Sequence, residues 1–407
     1  MPESNASAVV PFKSASSSSR DSASHLPIVV HSHLRWDFVW QRPQQILARL
    51  APDHRVAFIE EPLTEGDEVS LAISEPMANI VRIVPRIPAS LRAGVDEECA
   101  MLLPHLRRAF SDHPLLAGRF DRVLHWFYSP MVAPAFLGAW NAAAVVYDCM
   151  DELANFRFAP SDLPQREAAL LASADVVFTG GFQLYTKKSR RHGNVHFHGC
   201  GVDVDHYAKA RSEDTALPSD VSSLPQPVLG YFGVVDERLD YDLIDALARG
   251  FAEGSIVMVG PFAKIDPSEL PRHANLHWLG QRPYEELPAY VKAFDVCLMP
   301  FALNAATANI NPTKTLEYMA AGKPVISTAV PDVVRHFTPI VQVAASPQEF
   351  VDMARRAIDA PDAGLVARGI ERACAATWGS VVAAMREHML AAVRAKRAPV
   401  VKLAATA

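Results

Sequence analysis

Cysteine is scarce in this chain. Five occur in 407 residues, at positions 99, 149, 200, 297 and 374. No two have metal-site spacing, and an odd, scattered count fits no secreted disulfide scaffold. A reducing cytoplasm is the expected compartment. Long apolar runs are also missing, so no transmembrane helix is expected. Excess positive charge is absent, with a formal net charge of −6. That disfavours nucleic acid as the main partner and leaves local basic patches open. Gly230 and Gly233, in GYFGVVDERL, do not make a full dinucleotide fingerprint, which argues against hydride transfer. Residues 1–24 carry SASSSSRDSAS and lack the apolar core of a signal peptide. They are expected to be a disordered tail.

What is present is alternation. Half of the chain is apolar and 21% is charged, an ordinary globular balance. Strand-like runs stand at 27–33, 54–62, 79–88, 122–130, 143–152, 175–181 and 194–203. Helical patterns fall at 40–51, 98–110, 166–174 and 184–193. A polar, proline-bearing stretch, SEDTALPSDVSSLPQP, separates these from a second set. There the strands are expected at 227–233, 255–261, 275–280, 295–301, 324–327 and 340–346, with helices at 240–251, 283–294, 347–360 and 380–396. Strand–helix alternation specifies parallel sheets covered by helices. The expected division is a first α/β domain over 25–208, a linker over 209–226 and a second over 227–377. A late helix follows at 378–397 and a tail at 398–407. Ligands in such sheets sit at the carboxyl ends of the strands.

The stretch NPTKTLEYMAAGKPVIST (311–328) is the most specific feature. Pro312 suits a first helical turn with Asn311 as its cap. Gly322 ends the helix before a short β-branched strand. Lys314 and Glu317 share the first turns. Free amides at a helix start suit a phosphate, whereas a glutamate suits a pair of sugar hydroxyls. A nucleotide satisfies both. The strand ends VMVGP and NLHWLG place Gly260 and Gly280 where a ligand can approach the backbone, or where the chain merely turns.

In the first set, Asp148 and Asp151 follow a strand in YDCMDE. Their options are general-base work, sugar-hydroxyl binding or helix capping. His31, His33, Arg35 and Arg42 cluster after the first strand. One histidine can be packed, while the arginines need anionic partners, either protein carboxylates or substrate. The basic run KKSRRH (187–192) is expected to be a solvated face, with an anionic membrane as the other option.

With these residues in view, the sequence resembles GT-B glycosyltransferases of the family-4 type, including bacterial exopolysaccharide and capsule enzymes. NPTKTLEYMAAGKPVIST carries the likeness, supported by HLRWDFVWQRPQQILARLA (33–51), ADVVFTGG (174–181), FHGCGVDVDHY (197–207) and LGQRPYEELPAYVKAFDVCLMPF (279–301). It spans about residues 27–390. The resemblance implies two Rossmann-like domains facing a cleft, the second binding a nucleotide sugar, with the late helix crossing back to the first domain. It implies a donor site of Glu317 on the ribose, Thr313, Lys314 and Arg238 at the diphosphate, Asn309 at the sugar, and Gly233 and Gly280 at the strand ends. Asn309 stands where the family's motif of glutamate, seven residues, glutamate has its first glutamate, and no lysine follows Arg238. Asp151, Asp148 and His33 are the implied catalytic group, with Arg35 and Arg42 on the acceptor side.

The expected reaction is sugar transfer from a nucleoside-diphosphate sugar, UDP-linked, to a glycan or polyprenyl-linked acceptor. It needs no metal and no cofactor, and takes place in the cytoplasm with possible peripheral contact at the inner membrane face. A sugar-nucleotide epimerase of the same plan and a non-catalytic nucleotide-sugar-binding protein are the alternatives.

Overall fold

The computed structural model describes residues 25–397. The expected tails at 1–24 and 398–407 lie outside the described residues. Two sheets organise the chain. The first contains β1 (Ile28–Ser32), β2 (Val56–Glu60), β3 (Leu63–Thr64), β4 (Ser70–Met77), β5 (Ile80–Ile87), β6 (Val123–Phe127), β7 (Ala142–Cys149), β8 (Val176–Thr179) and β9 (Val195–Phe197). Its order is β3-β5-β2-β1-β6-β7-β8-β9, with β4 on β5. Every pairing is parallel except β4 with β5. The second sheet contains β10 (Val228–Phe232), β11 (Ser255–Val259), β12 (Leu276–Gly280), β13 (Val296–Met299), β14 (Val325–Thr328) and β15 (Gln342–Ala344), in the order β12-β11-β10-β13-β14-β15. All of its pairings are parallel.

The central strands are buried along their whole length, as IVVHS in β1 and VLGYF in β10. Helices cover both faces, so these strands carry near-continuous apolar runs. In each sheet the strand order reverses at one strand. β1 lies between β2 and β6, and β10 lies between β11 and β13. Loops leaving these two strands open a crevice where ligands collect in doubly wound sheets. The fold is GT-B.

Two features differ from the sequence expectation. The segment set aside as a linker is packed. Ala210 and Val221 lie in the core of the second sheet, and Lys292 donates to the carbonyls of Ser212 and Thr215, each at 2.7 Å. Its proline and serine content hid these anchors. The antiparallel β4 was not expected, because its SLAISEPM sequence is half-exposed and carries a proline.

The last helix, Trp378–Arg397, belongs to the first sheet. Its Trp378, Met385, Met389 and Val393 are buried with Val30, Trp126, Val146 and Phe178. Gly201 allows the return: a Cβ there would stand 2.5 Å from the Trp378 amide nitrogen. Among the described residues, no helix is long and apolar enough to cross a membrane.

Candidate active site

The two crevices face each other across one cleft of about 730 Å³. Its second-domain wall is built from the ends of β10 and β11 and from the helix Lys314–Ala320. Gly233 (φ +145°) and Gly260 (φ +149°) end those strands in a region open mainly to glycine. A Cβ on Gly260 would run into the Gly233 carbonyl, and one on Gly233 would run into the Lys314 side chain. The two glycines therefore make the room through which Lys314 passes.

The helix starts at Lys314, with Thr313 as its first flanking residue. It begins later than Pro312 implied. At its other end Gly322 has φ +72°. The Lys323 amide reaches the Tyr318 carbonyl at 3.1 Å and the Gly322 amide reaches Met319 at 3.0 Å, the paired bonds of a Schellman stop. That stop holds the helix register, and with it the spacing of Lys314 and Glu317.

Four cations line the cleft: Arg42, Arg238, Arg282 and Lys314. Three are in ion pairs. Arg42 meets Asp148 at 2.9 Å, Arg238 meets Asp236 at 2.7 Å and Arg282 meets Asp220 at 2.9 Å. Lys314 makes no ion pair among the described residues. Its ammonium lies over Tyr231 (5.5 Å) and Phe232 (5.9 Å). Burial holds its pKa below the ordinary lysine value, and the charge of Glu317 opposes that fall. Glu317 is itself buried, at 6% exposure. Burial raises its pKa to about 7, while Lys314, Tyr207 and Thr313 beside the carboxylate pull the other way. A desolvated carboxylate and a desolvated ammonium, each without a bonded counter-ion, face one cavity. Such perturbed groups mark functional sites.

The first-domain wall is different in kind. Trp36, Phe38, Trp40, Arg42, Met150 and Asp151 line it. Asp148 is fully buried. It accepts from Arg42 Nε at 3.1 Å and Nη2 at 2.9 Å, while Arg42 Nη1 donates to the His198 carbonyl at 2.8 Å. Asp148 and Arg42 thus form a closed structural pair, and Arg42 is not free for an acceptor. Asp151, by contrast, opens into the cleft, and its carboxylate makes no hydrogen bond or ion pair among the described residues. Burial raises its pKa, opposed chiefly by Arg238.

The loop that carries Asp151 is anchored from beneath. Lys188 contacts Glu152 at 2.8 Å and Glu167 at 2.6 Å and is 1% exposed. The basic run is therefore not simply a solvated face. Further along the same loop, Asn155 donates to the Ala305 carbonyl at 2.9 Å and the Arg157 amide to Glu237 at 2.8 Å. Both contacts tie the loop to the second domain.

Five expected site residues do not line the cleft: Asp148, closed on Arg42 as above, and Arg35, His33, Asn309 and Gly280. Arg35 is held by Glu60 at 3.2 Å. His33 is half-buried, and desolvation, aided by Lys264, lowers its pKa to about 4. Its neighbour His31 is packed, stacked on Phe136 at 4.6 Å. Asn309 is 2% exposed, and its backbone carbonyl lies close against Gly181. Gly280 sits behind Gly260, whose amide donates to its carbonyl at 2.8 Å. Thr313, Lys314, Glu317, Arg238, Gly233 and Asp151 do line the cleft. Sequence reasoning left out Tyr207, Tyr284 and the tryptophans as contacts, while Gly260, read as a place where a ligand can approach the backbone, does line the cleft. The aromatic-rich HLRWDFVW was the signal for the last of these.

Comparison with known proteins agrees with this fold. Residues 226–360 match the family model described as glycosyl transferases group 1. A Bacillus subtilis (strain 168) protein described as a teichuronic acid biosynthesis glycosyltransferase, TuaH, is 24% identical over 238 residues. That match covers 54% of this chain and 59% of the relative's length. Among solved structures, Anabaena HepE in complex with UDP and glucose has a TM-score of 0.63 and 16% identity, covering 89% of this chain and 99% of that one. Sucrose-phosphate synthase from Thermosynechococcus elongatus has a TM-score of 0.62 and 18% identity, covering 89% and 98%. An α,α-trehalose-phosphate synthase from Burkholderia xenovorans, in complex with glucose-6-phosphate, has a TM-score of 0.64 and 12% identity, covering 89% and 100%.

Proposed function

We propose that this protein is a glycosyltransferase that moves a sugar from a UDP-linked donor to a hydroxyl of a glycan or lipid-linked acceptor in surface polysaccharide assembly. The carrying observation is the second-domain wall, where an unpaired Lys314 and a buried Glu317 flank two strand-end glycines. Glu317 accepts from the ribose hydroxyls. Lys314 and the free amides at Thr313 and Lys314 take the diphosphate. The base is assigned as uridine because the HepE neighbour is described with UDP. The polysaccharide setting rests on the likeness to TuaH.

In the reaction the acceptor oxygen bonds to the anomeric carbon as the bond from that carbon to the diphosphate oxygen breaks. The electron pair leaves on the diphosphate, where Lys314 and the amides stabilise the growing charge. Asp151 takes the hydroxyl proton. These cationic groups supply the neutralisation that a metal gives elsewhere, so added chelator is expected to leave transfer unchanged. A sugar-nucleotide epimerase is disfavoured, since the family matched over 226–360 is one of glycosyl transferases. A non-catalytic binder is motivated by Asn309 in the place of a glutamate, and it predicts donor binding with no turnover.

Membrane contact would rest on the 187–192 run. There Lys187, Lys188 and Arg191 all have carboxylate partners, which leaves little charge for a lipid surface. Sedimentation with anionic vesicles tests it. The main experiment is titration calorimetry with UDP, ADP and GDP, followed by release of free UDP from UDP-sugars with and without an acceptor pool. UDP binding with acceptor-dependent release supports the proposal. Failure to bind any of the three overturns it.

A further inference from the structure

The chemistry of the first-domain wall restricts the acceptor. Trp36, Phe38 and Trp40 lie on the loop that leaves β1. Trp36 packs edge-on against Phe58 (5.2 Å) and against Trp40 (5.9 Å). Trp40 in turn reaches Tyr284 of the second domain at 6.0 Å. The loop is held in place: the Trp36 amide donates to Glu60 Oε1 at 2.9 Å, Gln44 Nε2 donates to the Trp36 carbonyl at 2.9 Å, and Gln281 donates to the Phe38 carbonyl. The aromatic faces are therefore preformed and do not depend on a ligand to order them.

Charge on this wall is arranged against an anion. Arg42, the one cation among its lining residues, has its Nε and Nη2 on Asp148 and its Nη1 on a carbonyl. Arg35 and Arg82 beyond the rim are held by Glu60, and Arg82 also by Asp37. Lys264, on the second-domain side, is near enough to lower the pKa of His33 but does not line the cleft. The carboxylate left open to the cleft is Asp151. A phosphate brought to this wall would meet an unpaired carboxylate and no free cation among the wall's own lining residues. The unpaired Lys314 lies on the opposite wall, where the diphosphate is assigned, so the phosphate's desolvation would go uncompensated. A sugar ring has an apolar C–H face for an aromatic surface and hydroxyls for a carboxylate.

We infer that the acceptor's reacting residue is an uncharged sugar ring laid on Trp40, with its hydroxyl turned to Asp151, and that phosphorylated acceptor ends are rejected. This rests on the donor assignment above. It excludes direct transfer to a lipid phosphate and places the enzyme after a reaction that has already put a neutral sugar on the acceptor.

The test uses the full chain saturated with UDP. Methyl glycosides of glucose, galactose and N-acetylglucosamine are compared with their 6-phosphates by saturation-transfer NMR, and with UDP-sugar present by transfer rate. At least one neutral glycoside is expected to bind and its 6-phosphate to bind about tenfold or more weaker. Trp40→Ala should weaken that glycoside about tenfold with UDP affinity and melting temperature unchanged, and Trp40→Phe should restore most of it. Preference for the 6-phosphates, or a Trp40→Ala protein with undiminished glycoside binding, overturns this inference alone. Absence of UDP binding by the wild-type protein overturns the donor assignment and this inference with it.

Discussion

The two walls of the cleft treat charge in opposite ways. On the second-domain wall, Lys314 and Glu317 are desolvated and left without bonded counter-ions. At the first-domain wall, Arg42 and Asp148 are more deeply buried and closed on each other. An unpaired buried charge is costly to the empty protein and is retained where a ligand will complete it. A closed pair asks nothing of a ligand and instead fixes the backbone around it. Under the proposed function one wall receives a charged, hydroxyl-bearing nucleotide, and the other offers aromatic faces and a single free carboxylate.

The sharpest way to break this comparison is at the two aspartates. Asp151→Asn should keep fold and UDP affinity and lower transfer about 10²–10⁴-fold, the usual cost of losing a general base. Asp148→Asn should leave Arg42 uncompensated and cost roughly 3–5 kcal/mol of stability. Melting curves and transfer rates on both variants side by side decide it. An inactive but stable Asp148→Asn protein reverses the roles. Lys314→Met comes next. Loss of a charge that acts on the departing diphosphate should lower kcat about 10²–10³-fold, with a smaller change in donor Kd. Steady-state kinetics at saturating donor check this, and an unchanged kcat would remove Lys314 from the transition state.

Glu317 carries a smaller effect and a pH signature. Glu317→Ala should weaken UDP by roughly 1.5–3 kcal/mol, the worth of hydrogen bonds to a charged acceptor. With a folded-state pKa of about 7, wild-type UDP affinity should fall as pH drops through 7 and the carboxylate becomes protonated. The same shift bears on stability. The folded pKa lies above the ordinary value of 4.5, so the folded state holds the proton more tightly. Stability from this group is present below about pH 4.5 and is lost as pH rises through 7. Ligand-free Glu317→Gln should therefore melt higher than wild type at pH 8 and similarly at pH 4.5. Calorimetric scans at both values test it. The smallest effect is expected at Arg35. Arg35→Gln should leave transfer within experimental error, because Arg82 still holds Glu60, and a large loss of activity would bring Arg35 back to the acceptor.

Both sheets were legible because their central strands are buried on two faces and announce themselves as apolar runs. β4 was not, being half-exposed, and neither were the short helix Pro331–Phe337 nor the helix Ala363–Cys374. Residues lining the second-domain wall were legible where a motif fixes their spacing, as with Lys314 and Glu317 on one helical turn. Asn309 shows where that logic stops. It occupies the right sequence offset, yet the loop before the helix turns it into the domain interface against Gly181, a tertiary contact with no local signal. Arg35 and Arg42 show the same gap from the other side. Sequence requires that each find an anion, but only the fold tells whether that anion is a substrate or Glu60 and Asp148.

The return of the helix Trp378–Arg397 to the first sheet also bears on the order of synthesis. Trp378, Met385 and Met389 are core residues of the domain translated first, so that domain lacks part of its interior until residues 378–393 have been made. The second sheet has all its strands by residue 344. The usual order, in which the amino-terminal domain folds first as a unit, is thus inverted here: the carboxyl-terminal sheet can close while its predecessor waits. Protease digestion of a released chain ending at residue 376 should leave the second domain, whose core is complete by Ala373, protected and the first exposed.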